Sequence, residues 1–189
     1  MPLTTYTAGE VLTAASLNAN FTFAAANPTG GLTLVTAQVI GSAVSSVAVT
    51  SAFSTTYDNY KIMVSGGVAS TSGAIGLKLG STTTGYYFSG YNVGWTGTLN
   101  GNGTGNGSEF SSVGHGNTAI LTLNLELVNP FLADETMLYA TKIDASTGGS
   151  TNMVNGFLNN QTSYTGFTLT PASGTLTGGT IYVYGYAKA

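Results

Sequence analysis

The sequence predicts an all-β protein: an antiparallel two-sheet sandwich, jelly-roll-like, preceded by a short N-terminal docking segment. Three observations carry this expectation. Apolar residues recur at every second position in many short runs. The clearest is AILTLNLELV, where Leu121, Leu123, Leu125 and Leu127 face one way and Thr122, Asn124 and Glu126 the other. Gly-rich clusters separate the runs: Ser65-Gly66-Gly67, Thr147-Gly148-Gly149 and Thr177-Gly178-Gly179. No long stretch carries a helical period, and many strands with Gly-rich turns point to a sandwich or barrel.

Residues 1–31 stand apart from the rest. TAGEVLTAASLNANFTFAAANPTGG is Ala-rich and ends on a breaker cluster, so 1–31 reads as docking segment plus linker and 32–189 as the β-domain. Thr13 is placed to cap a short helix through AASLNANF, its hydroxyl accepting from a backbone N–H in the first turn. Leu17 and Phe21 then lie four apart on one face. So short a helix is marginal alone and docks on its own body or on a partner. Leu12, Leu17, Phe21 and Phe23 are the candidate docking side chains.

From Leu32 onward strands are expected near 33–40, 44–52, 60–68, 74–80, 86–94, 118–128, 136–144, 152–159, 164–170 and 180–187. YKIMVSG sets Tyr60, Ile62 and Val64 on one face; TMLYATKID opposes Met137, Tyr139, Thr141 and Ile143 to Leu138 and Ala140. One stretch departs from the pattern. TGTLNGNGTGNGSEFSSVGHGN is rich in Gly, Asn, Ser and Thr and reads as an unusually long loop, a tip or a segment ordered by a neighbour.

Composition narrows the function. Only 6% of the 189 residues are charged, against roughly 25% in ordinary soluble domains. A free monomer usually carries more charge than that, whereas a subunit packed against others does not need it. The basic residues besides His115 are Lys61, Lys78, Lys142 and Lys188, too few and too scattered to neutralise a phosphate backbone, so no nucleic-acid partner is expected. There is no Cys, hence no disulfide or thiolate metal site. No signal peptide is expected from Met1-Pro2-Leu3, and no apolar run approaches the ~18 residues of a membrane span, so membrane insertion is not expected.

The chemistry-bearing residues are sparse. His115 is the single histidine, with Ser112 and Glu109 upstream; between Gly114 and Gly116 it reads as a polar loop residue, a poor support for catalytic geometry. Asp134-Glu135 is the one adjacent carboxylate pair and sits at a turn, where neighbours point apart; no EF-hand-like spacing supports calcium there. No glycine run has the phosphate-loop signature. No enzyme activity, catalytic residue, cofactor or metal is therefore expected. Tyr87, Tyr91 and Trp95 are candidates for receptor or glycan contact, because aromatic faces suit C–H-rich sugar rings; the competing reading has the aromatics of YYFSGYNVGW fill a core and a subunit seam. The closing strand alternates Ile181, Val183 and Gly185 with Tyr182, Tyr184 and Tyr186. The aliphatic side suits the chain's own core. The tyrosines are candidates for self-association, since tyrosine buries large area and still satisfies its hydroxyl. If the aromatic side turns inward instead, the small aliphatic side lines the contact. In the turn before Tyr60, Asp58 is expected to accept from turn N–H groups, with Tyr57 and Tyr60 closing the sandwich edge.

Three stretches, YTAGEVLTAASLNANF (6–21), FSTTYDNYKIMVSGG (53–67) and TIYVYGYAK (180–188), together resemble small bacteriophage virion structural proteins. These are β-domains of tail-fibre, appendage or capsid-decoration type with an N-terminal docking segment. The resemblance covers the chain in outline, and its specificity rests on those stretches; the Gly/Asn-rich stretch near 97–117 lies outside it. It implies a virion location, a homotrimer, and attachment to other virion proteins of tail or capsid, with a host surface glycan as a further partner. The tail-fibre or appendage role is the leading expectation; a capsid decoration protein and a glycan-binding module are the alternatives.

Overall fold

The computed structural model describes residues 5–11, 13–26 and 31–188. Helix α1 spans Ala14–Ala26. Thr13 caps it as expected: the Ser16 N–H donates to Thr13 Oγ1 at 3.2 Å and the Leu17 N–H to Thr13 O at 3.0 Å. Leu17 and Phe21 are exposed rather than laid on the β-body. Leu12, and the side chain of Phe23, lie outside the described residues. Among the described residues no helix is long and apolar enough to cross a membrane.

The remainder is the all-β antiparallel sandwich the alternation implies. In chain order its strands are β1 (Leu32–Val39), β2 (Val47–Val49), β3 (Asn59–Ser65), β4 (Val68–Ala69), β5 (Gly73–Leu79), β6 (Tyr86–Gly94) and β7 (Leu99–Gly107). Then come β8 (Phe110–Gly116), β9 (Leu121–Val128), β10 (Thr136–Ile143), β11 (Ser150–Leu158), β12 (Phe167–Pro171), β13 (Leu176–Thr177) and β14 (Thr180–Tyr186). A long sheet runs β1-β14-β3-β9-β10-β11-β6-β7 and a short one β2-β12-β5-β8. They meet at β9, whose first residues pair with β8 and whose later residues pair with β3. Four antiparallel pairs are nested along the chain: β1 with β14 encloses β2 with β12, which encloses β3 with β9, which encloses β5 with β8. Strands β10, β11, β6 and β7 extend the long sheet as a wing.

The core lies between the sheets and takes the apolar side of each alternating run. Leu123, Leu125 and Leu127 of β9, Ile62 of β3, and Ile181 and Val183 of β14 meet Leu77 and Leu79 of β5 and Phe167 and Leu169 of β12. Phe53 bridges Tyr60 (4.8 Å, edge-on) and Phe167 (5.8 Å, stacked), and Tyr86 meets Phe110 edge-on at 4.9 Å. The Tyr86 hydroxyl stays satisfied by accepting the Leu79 N–H at 2.8 Å; burial pushes its phenol up to about 12. The Tyr57 ring lies directly over Gly185, where a side chain on β14 would collide with it. Tyr57 meets Tyr60 edge-on at 6.0 Å, beside β3 and β14, which are interior strands of the sheet and not its edge. Asp58 does something else: its carboxylate pairs with the Lys188 ammonium at 2.7 Å, holding down the last residues, while its backbone oxygen accepts the Asn129 N–H.

The main correction concerns 96–117. The expected long loop is two strands, β7 and β8. Gly101, Gly103 and Gly105 alternate with Asn100, Asn102 and Thr104, a period of two written in glycine and amide rather than in apolar and polar residues. Strand β7 is the exposed edge of the wing; β8 enters the core through Phe110 and Val113. The run expected at 44–52 is also shorter: only Val47–Val49 forms a strand, with Val44 making an isolated bridge to Leu176.

Candidate functional site

The outer face of the long sheet carries many of the exposed apolar side chains. Period two turns Met137, Tyr139, Thr141 and Ile143 of β10 outward, opposite buried Thr136, Leu138, Ala140 and Lys142. Pairing then aligns neighbours into rows across the strands. One row is Tyr184, Lys61, Glu126, Tyr139, Asn155 and Ser89. The next is Tyr182, Met63, Asn124, Thr141, Met153 and Tyr91, and a third holds Val128, Met137, Phe157 and Tyr87. Tyr87 and Phe157 stack at 5.2 Å with planes 11° apart. The face is thus aromatic and thioether-rich, with amides and hydroxyls between. Its one ion pair, Lys61 to Glu126 at 3.3 Å, is internal to the face.

The three ribbon tyrosines lie on this face, half-buried, with Ile181 and Val183 of the same strand in the core. Tyr182 and Tyr184 stack at 6.4 Å. The Tyr186 hydroxyl donates to Glu126 Oε1 at 2.8 Å. That bond leads in holding the Glu126 carboxyl below its ordinary value, while burial first, and then Glu126, push the Tyr186 phenol up to about 12. The ribbon is therefore partly tied to its own sheet. Leu34 (52%) is exposed beside Tyr184, and further along stand Tyr91 (46%), Tyr139 (47%) and Ile143 (49%), with Met137, Met153 and Phe157 beside them. Of the proposed receptor residues, Tyr87 and Tyr91 join this face. Trp95 does not; it sits in the β6–β7 turn with its indole N–H donating to Ser146 O at 2.9 Å. The residues missed from sequence are Met137, Tyr139, Ile143, Met153 and Phe157. For Met137, Tyr139 and Ile143 the signal was present in TMLYATKI, but both of its faces look apolar until the pairing shows which one is covered; Met153 and Phe157 lie in STNMVNGFL.

A second cluster lies where β8 meets β10. His115 is a strand residue, 8% exposed, and not a loop residue. Its Nδ1 stands 3.7 Å from Asp144 Oδ1 and its Nε2 is 3.4 Å from Ser72 Oγ. Lys142, 7% exposed, donates to Ser112 Oγ at 2.6 Å. Burial lowers both the His115 and Lys142 pKa values; Asp144 opposes this in each case, and Lys142 adds to the lowering at His115. The adjacent carboxylates behave as turn residues: the Asp134 carboxylate accepts the Glu135 N–H at 2.8 Å, and both are exposed. Among the described residues no three His, Asp or Glu side chains group as a metal site.

No family model, curated protein or solved structure matches this chain.

Proposed function

We propose that the protein is a structural subunit that works by self-association through the outer face of the long sheet, in the setting its sequence resemblance suggests: a trimeric tail fibre or short appendage of a bacteriophage virion. One observation carries the reading. Exposed Tyr, Met, Phe and Ile side chains group on β10, β11 and β6, and the tyrosines of β14 with Met63 lie across a polar strip of Lys61, Asn124 and Glu126, on a face whose ion pair is already matched within it. Contiguous exposed apolar surface of a few hundred Å² marks an interaction site. From β14 to β6 the face is about 24 Å wide and about 25 Å tall, or roughly 600 Å² in plan. Side-chain relief brings that toward the ~800 Å² per partner of a standard interface. Helix α1, with Leu17 and Phe21 exposed, supplies the attachment to another virion protein.

Radical footprinting tests the face. Met63, Met137 and Met153 all project from it. They are expected to be protected from oxidation at high protein concentration and to react on dilution. Reactivity that does not change with concentration would overturn the proposal. A second reading, a neutral host glycan, is favoured by a groove of about 460 Å³ lined by Tyr87, Ser89, Gly103, Asn155 and Phe157. A glycan seated there would protect Tyr87 and Phe157 at concentrations where the chain is monomeric.

A further inference from the structure

We propose that Ser72, His115 and Asp144 form an acyl-transfer site that hydrolyses short acyl esters, such as acetyl groups carried on a larger alcohol. The proposal rests on order, orientation and support. Ser72 Oγ lies 3.4 Å from His115 Nε2, and His115 Nδ1 lies 3.7 Å from Asp144 Oδ1, so each partner addresses the ring nitrogen that a serine nucleophile and its orienting carboxylate require. Both His115 Nδ1 and Asp144 Oδ1 are buried without a hydrogen-bond partner, and each is the other's nearest ionic counterpart. Such separations are common in unliganded sites and tighten when substrate is bound.

The supports are strands. His115 is the penultimate residue of β8, and its register partner on β5 is Ala74, two residues beyond Ser72, which directly precedes that strand. Asp144 directly follows β10, its N–H donating to Ser150 O at 2.9 Å. Ser72 is exposed while the imidazole behind it is buried, so the nucleophile meets solvent and its base does not. Burial and the nearby Lys142 charge both favour the neutral imidazole, the form that accepts a proton. The open approach to Ser72 suits a small acyl group on a bulky carrier.

The step balances with water as the co-reactant. Ser72 Oγ attacks the ester carbonyl carbon as its proton passes to His115 Nε2. The carbonyl–alkoxy bond breaks and the leaving alcohol takes that proton. Water, deprotonated by His115, then cleaves the acyl-serine to release the acid and restore the hydroxyl.

The test uses the full chain with p-nitrophenyl acetate and a fluorophosphonate probe. Hydrolysis above buffer and probe attachment mapped to Ser72 are expected. Ser72→Ala is expected to abolish labelling and cut turnover about 10³-fold or more, and Asp144→Asn to cut it about 10²-fold or more. Ser72 is exposed, so its alanine variant keeps the fold; circular dichroism and sedimentation of that variant check this. Absence of labelling at Ser72, or turnover unchanged in a folded Ser72→Ala chain, would overturn the proposal and leave the self-association reading untouched.

Discussion

Replacing Tyr139 by Asp is the sharpest perturbation of the proposed seam. In the single chain Tyr139 is 47% exposed and faces solvent from β10, the strand of the wing next to β9. Taking ~200 Å² for the full surface of an aromatic side chain, covering the exposed part removes about 90 Å² from water, worth about 2 kcal/mol. An aspartate forfeits that and adds a carboxylate that must be desolvated, so about 2 kcal/mol is a lower bound per seam. The dissociation constant of the assembly is therefore expected to rise about 30-fold or more. Monomer stability is expected to fall by about 1–2 kcal/mol, since aspartate is a poor strand residue and the new carboxylate stands opposite Glu126 on β9. Sedimentation velocity over a concentration series reads the first quantity and urea unfolding the second. Thr84→Asp, at an exposed position in the β5–β6 connection, is the control and should leave association unchanged. A Tyr139→Asp chain that associates as tightly as the parent would refute the reasoning.

The remaining predictions concern the fold beneath that face. Leu125→Ala empties a fully buried position of β9 and is expected to cost about 2–5 kcal/mol, lowering Tm by roughly 4–20 °C. Gly185→Ala is expected to destabilise by about 1–3 kcal/mol by driving a methyl into the Tyr57 ring, and Tyr57→Ala in the same chain should relieve part of that clash. Tyr186→Phe removes the leading cause of the low Glu126 pKa, so NMR titration should find that carboxyl shifted upward. His115 has a folded pKa below its ordinary 6.5, so as pH falls below about 6.5 the unfolded chain binds a proton that the folded chain resists. Its contribution to stability is full above that pH and is lost as pH falls toward the folded value; His115→Gln should flatten urea-melt stability between pH 7 and 5.

How much of this was legible from sequence follows from what pattern reading can see. Strands β9 and β14 were found because one side of each alternation is apolar and the other polar or aromatic, and β6 and β10 because their runs are rich in strand-forming residues. β6 was bounded at Tyr86 and Gly94 because turn residues flank it on both sides. Strand β7 was read as loop because its alternation is glycine against amide or hydroxyl, which carries no hydrophobic signal, and β8 because its apolar residues, Phe110 and Val113, stand three apart among Ser and Gly and fit no period of two. That misreading also hid His115. A histidine between two glycines looks loosely held, whereas here it is backed by β10 and flanked by Ser72 and Asp144, which lie 43 and 29 positions away in the numbering. The tyrosine ribbon was assigned to the correct side of its strand. Its continuation through Tyr139, Met153 and Tyr91 needed strand order: β10, β11 and β6 are neighbours only in the folded sheet.

The mass of the isolated chain in solution, measured by sedimentation equilibrium from micromolar to near-millimolar concentration, tests self-association most directly. The account expects a reversible oligomer, a trimer, whose dissociation on dilution exposes Met63, Met137 and Met153 together. A single species at the monomer mass of 19.1 kDa across the whole range would contradict it.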